Sequence, residues 1–289
     1  MESLQREYER FGPWVAPIET GDDIPQQFLR YRSTIENALY AVKIPINVER
    51  RNVRKGMPLY HTVVAFTEDM ICLMQRTKAD VDLTEISYRQ ILYFQHVSNI
   101  LVGEFVLGTV DQIYVLTFNP VEIGPVEKAI RIIRQKYLDK VAPIDLDSID
   151  ENRDSKSALY ETLIAREFKS DDIKVIEYQP YMGLEDRAGE TVDPETPAGE
   201  PVLQDSLFLA NEHELVVINR TKEIKLPREA DYGYRYTYIP RNHILGITLE
   251  PEETNELIYN LSFILKEGKV AFLVGHDFSI TKLKSALNI

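Results

Sequence analysis

Cysteine is nearly absent from this chain of 289 residues, and so is tryptophan, with one of each. Cys72 lies between Ile71 and Leu73 in an apolar, strand-like run, which excludes an intrachain disulfide or a thiolate metal cluster and marks it as a small core hydrophobe. That usage fits a reducing compartment, so a cytoplasmic location is expected. No window approaches the roughly 18 uninterrupted apolar residues of a membrane span, and Glu2, Arg6, Glu7, Glu9 and Arg10 occupy the stretch that a signal peptide would keep apolar. A P-loop, a glycine-rich dinucleotide fingerprint and a nucleophile elbow are all missing. The histidines His61, His96, His213, His243 and His276 are scattered without metal-ligand spacing. Asp145-x-Asp147 resembles the start of a calcium loop, but Ile149 stands at the third ligand position, the turn glycine is missing and Lys156 replaces the closing glutamate. No metal and no cofactor are therefore expected. His276-Asp277 is the nearest thing to an acid–base pair, and adjacent residues need a turn to meet.

What is present in quantity is negative charge, and it is localised. The net charge is −13, and the segments 1–138, 139–205 and 206–289 carry −1, −11 and −1. An acidic middle repels polyanions, which argues against nucleic acid as a partner.

The length suits two domains of about 100–150 residues, each able to bury a core. Prolines around Phe11–Ile18 exclude a helix there, and Trp14 is expected to anchor this arm on the first domain. Short alternating runs follow at 39–45, 59–66, 70–75, 81–86, 91–97, 100–107 and 113–118, spacing that favours an antiparallel meander over a βαβ pattern. Asn119-Pro120 offers a cap to a helix whose Val126, Ile130, Ile133 and Tyr137 form one apolar stripe. Residues 139–157 read as an acidic linker, and a connecting helix is expected over 158–168. A second series of strands begins at Ile173 and ends in a hairpin turn at Lys266-Glu267-Gly268, then a helix with Ile280, Leu283 and Leu287 on one side. The apolar run into Arg76-Thr77-Lys78 is matched by the run into Arg220-Thr221-Lys222, and Arg89-Gln90-Ile91 by Arg241-Asn242-His243-Ile244.

This strand–loop–strand opening, the meander, the run Ile100-Leu101-Val102-Gly103-Glu104-Phe105 before the final hairpin and the single closing helix resemble the PH-like superfamily, including GRAM-type and bacterial PH domains. The likeness covers Leu39–Leu138 and, more loosely, Ile173–Ile289. It implies a mainly β chain of two PH-like units, each a bent antiparallel meander closed by a C-terminal helix. The expected division is an arm plus first domain over 1–138, a linker and connecting helix over 139–170, and a second domain over 171–289. Relatives bind phosphoinositides, phosphopeptides, other peptides or copies of themselves, so fold alone selects no function.

Three surfaces are candidates. Lipid-binding PH domains grip inositol phosphates with a lysine on the first strand and cations in the next loop, and Lys43, Arg50, Arg51, Arg54 and Lys55 resemble that placing; the alternative is a solvated turn. An acidic loop with Glu185, Asp186, Glu190 and Asp193 holds the equivalent place in the second half and would meet a basic partner, within one chain or between chains. Tyr232, Tyr234, Tyr236 and Tyr238 share one face of a strand, either as a peptide platform or as sheet packing. The leading expectation is a non-catalytic binding or scaffold protein whose partner is a protein or peptide, itself included. Weak contact with an anionic membrane through residues 50–55 is the first alternative, and an enzyme with an unrecognised site between the domains is the second.

Overall fold

A computed structural model describes residues 5, 7–9, 11–78, 80–99, 102–138, 158–168, 172–182, 203–220, 233–253 and 255–289. The chain is mainly antiparallel β-sheet with a few helices. It divides into two compact units: residues 1–91, 100–105 and 114–140 form one, and residues 92–99, 106–113 and 141–289 form the other.

The first unit holds a five-stranded sheet in the order β1 (Ala16–Pro17), β2 (Tyr40–Pro45), β3 (Tyr60–Phe66), β4 (Met70–Arg76) and β5 (Val81–Ser87), each antiparallel to its neighbour. The alternating apolar residues turn Val63, Ala65, Cys72, Met74 and Val81 into one core with Phe11, Phe28 and Ile35. Cys72 is buried there, as its apolar neighbours predict. The arm is anchored by Phe11, whose ring meets Tyr60 edge-on at 6.0 Å, and not by Trp14, which is 40% exposed. Short helix α1 (Arg32–Glu36) leads into β2. Helix α2 (Gly124–Leu138) buries Val126, Ile130, Ile133 and Tyr137, the predicted stripe. It begins later than the sequence led us to expect. Asn119 instead accepts the Val121 amide at 3.0 Å in a turn, and Pro125 takes the first-turn place where a missing N–H costs nothing.

In the second unit, β9 (Lys174–Gln179), β10 (Ser206–Ala210), β11 (Glu214–Arg220) and β12 (Tyr234–Pro240) pair antiparallel in sequence order. Beyond β12 the same seven-stranded sheet runs on through β6 (Ile91–Ser98), a strand from the first half of the sequence, then β7 (Gly103–Thr109) and β8 (Ile113–Phe118), strands whose residues are divided between the two units. A further sheet has the order β13 (Ile244–Glu252), β14 (Asn255–Leu265), β15 (Lys269–Gly275). Gly268 takes a φ of +77° in the turn between the last two, as its place there requires. Helix α3 (Ala158–Glu167) precedes β9. Helix α4 (Ile280–Leu287) buries Leu283 and Leu287 against Phe208, Leu261 and Phe278 and stops at Asn288, whose left-handed φ of 57° ends it.

Candidate functional site

The cations of the basic loop do not converge. Lys43 points from β2 to the Asp23 carbonyl, 2.7 Å away, with its ammonium 4.9 Å from the centre of the Tyr60 ring. The Arg50–Asn52 turn directs Arg50 onto the Phe11 carbonyl, where it holds the arm, and Arg51 pairs with Glu49. Arg54 and Lys55 remain exposed. Three of the five predicted anion ligands are thus engaged by the protein itself, and a defined phosphate site needs convergence.

The tyrosines of β12 are packing, not platform. Tyr236 lies opposite His96 and Tyr238 opposite Phe94 in the β6–β12 register. The Phe94 and Tyr238 rings stack at 4.4 Å and 12°, and those of His96 and Tyr236 at 5.9 Å and 17°. Helix α3 and the residue after it contribute to the same cluster, since Tyr160 meets Tyr234 edge-on and Phe168 reaches Tyr238. Tyr236 and Tyr238 are 2% and 3% exposed, so neither is available as an interaction surface. Tyr234 is half-buried beneath the Arg220 guanidinium, which lies 4.5 Å from its ring centre and bonds Asp205 at 3.1 Å. Burial, aided by the Arg166 charge, pushes the His96 imidazole down to about 4, so it is neutral at physiological pH. Burial likewise raises the Tyr236 phenol.

A polar cleft of about 670 Å³ opens in the first unit between residues 17–21, α1, the start of β2 and the first turn of α2. Lys128 lies 4.2 Å over the Tyr40 ring, whose hydroxyl donates to the Pro125 carbonyl at 3.3 Å. Burial, with Glu19 nearby, pushes the Tyr40 phenol up to about 12. It stays protonated and serves as a hydrogen-bond donor, not a base. Glu19 and Glu36 line the same cleft, and Glu36 accepts from Arg32 at 2.9 Å. The cleft combines stretches more than eighty residues apart, as the Tyr40–Pro125 bond illustrates, so no local pattern announces it.

His276 and Asp277 do meet, at 3.2 Å across a turn, but on an exposed surface with the carboxylate 92% open to solvent. Among the described residues no three His, Cys, Asp or Glu side chains group as a metal site, and no helix is long and apolar enough to cross a membrane. The acidic loop with Glu185, Asp186, Glu190 and Asp193 lies outside the described residues, as do Tyr232 and the linker 139–157. These features define a mainly β protein of antiparallel sheets. No protein-family model matches the chain, and no curated protein matches its sequence.

Proposed function

We propose that this chain is a non-catalytic binding protein of two PH-like units, acting by association with a protein or peptide, its own copies included, at the edges of its sheets. The carrying observation is the pairing of β6 with β12: the outer strand of one three-stranded set adds to the outer strand of a four-stranded set through backbone hydrogen bonds and stacked rings.

Two PH-like units are supported by the order of elements. Strands β2 to β5, the short turn Tyr88–Gln90, strands β6 to β8 and α2 correspond in order to β9 to β12, the turn Arg241–His243, β13 to β15 and α4. The likeness extends to single bonds. Tyr88 N donates to Asp69 O and Tyr88 Oη to Thr67 O, both in the β3–β4 turn. Arg241 N donates to His213 O and Arg241 Nη1 to Asn211 O in the β10–β11 turn.

Sedimentation velocity over a concentration series tests the reading. Mass that rises with concentration supports self-association; a monomer at every concentration leaves only binding to a different protein. Exposed Arg54 and Lys55 favour a second, weaker reading of contact with anionic membrane. Flotation with anionic vesicles at low salt tests it, and protein that stays with the unbound fraction ends it.

A further inference from the structure

Among the described residues, the β6–β12 pairing leaves two strands without the neighbour that their counterparts have. Aligning the turns Tyr88–Gln90 and Arg241–His243 in sequence sets β5 against β12 and β6 against β13. By that correspondence Leu83 takes the place of Tyr236, and Leu249 that of His96. Yet β5 ends its five-stranded sheet and β13 ends its three-stranded sheet. The exposure follows suit. Tyr236 and His96 are 2% and 7% exposed, whereas Leu83 is 38% exposed, Asp82, Glu85 and Thr248 are open to solvent, and Leu249 is half-buried against the core of its own unit.

We infer that the β13 edge of one copy accepts the β5 edge of a second copy, antiparallel, in the register that β6 and β12 use. This deepens the proposed self-association and rests on it. The register sets Leu83 opposite Leu249 and Thr84 opposite Thr248, an apolar pair and a threonine pair, both favourable across strands. The occupant is a second copy because the seat and the strand that fits it are both in this chain, at positions whose counterparts already pair. Because a chain carries one of each edge, the contact is head-to-tail and extends into a linear series or closes as a ring.

Three features limit its strength. The Val81 carbonyl is taken by Arg30 and by the Tyr31 hydroxyl, so pairing starts at Asp82. Pro251, which falls opposite Val81 in this register, offers no amide at that same end. At the next pair Asp82 faces Glu250, a like-charged pair that makes the contact weak and salt-strengthened. Charged edges with a proline restrain such addition without abolishing it.

The test is disulfide trapping between two variants that each gain one surface cysteine, with Cys72 silent in the core. A Leu83→Cys chain mixed with a Leu249→Cys chain and mild oxidant is expected to give the mixed dimer, and Leu83→Cys with Leu245→Cys is not. Thr84→Cys with Thr248→Cys repeats the test on the neighbouring pair should Leu249→Cys fail to fold. Asp82→Lys is expected to tighten self-association by roughly two- to fivefold, and adding Glu250→Lys to reverse that gain. Leu83→Cys chains joining only to one another would overturn head-to-tail pairing in favour of a symmetric edge. Self-association of the unmodified chain without any mixed disulfide overturns this register alone, and a monomer under all conditions overturns the self-association reading with it.

Discussion

Arg241 is buried at 4% exposure, and its guanidinium donates through Nη1 to the Asn211 carbonyl at 3.0 Å and through Nη2 to the Ala286 carbonyl. One side chain therefore ties the β10–β11 turn to the last turn of α4. The cation also faces the carbonyl end of that helix, where positive charge is favoured. Burial lowers the guanidinium to about 10, far enough above neutrality that it stays charged.

Replacing Arg241 removes two charge-assisted hydrogen bonds and frees the helix end. Arg241→Ala is expected to destabilise the chain by about 3 kcal/mol, from roughly 1.5–3 kcal/mol for each such bond with partial relaxation. Arg89→Ala, at an exposed position of the matching turn, should stay within about 0.5 kcal/mol of the parent. Urea denaturation followed by circular dichroism compares them, and equal midpoints would remove Arg241 as a clamp.

The Arg220–Asp205 pair predicts a non-additive result. Its side chains are only 16% and 13% exposed, and the Asp205 carbonyl also receives the Tyr160 hydroxyl at 3.1 Å. Asp205→Ala takes the carboxylate from the largely buried guanidinium over Tyr234 and should cost about 3 kcal/mol. Asp205→Ala with Arg220→Met should recover part of that loss, since no buried charge is left alone. Additive losses in the double-mutant cycle would contradict the pairing.

His96 sets a pH dependence. Its imidazole falls to about 4 in the fold against about 6.5 in the unfolded chain, so between those values the unfolded state binds the extra proton. Its contribution is intact above pH 6.5 and is lost as pH falls through 4, by about 3 kcal/mol in all. His96→Phe keeps a ring against Tyr236 and cannot titrate. The difference in stability between parent and variant should therefore shift steadily in the variant's favour from pH 7 to pH 4. A constant difference would show that His96 does not titrate differently in the two states.

Much of the fold is legible because its cues are local. The stripe Val126, Ile130, Ile133, Tyr137 and the turn at Gly268 each depend on neighbours a few residues away, and both are found as expected. The partner of β6 is not legible, since Gln95 meets Thr237 across 142 residues and strand alternation is silent on which edge a strand joins. For the same reason the four-tyrosine pattern could not reveal that Phe94 and His96 cover Tyr238 and Tyr236. The basic loop misled in another way: charge counts record how many cations are present, while Lys43, Arg50 and Arg51 are directed to Asp23, Phe11 and Glu49 by contacts that composition does not contain.

Amide hydrogen exchange, read by mass spectrometry at low and high protein concentration, tests the edge-association account most directly. Peptides covering Val81–Ser87 and Ile244–Glu252 should gain protection as concentration rises, while peptides from β10 and β11, already paired on both sides, should not change. Exchange at both edges that is independent of concentration would contradict it.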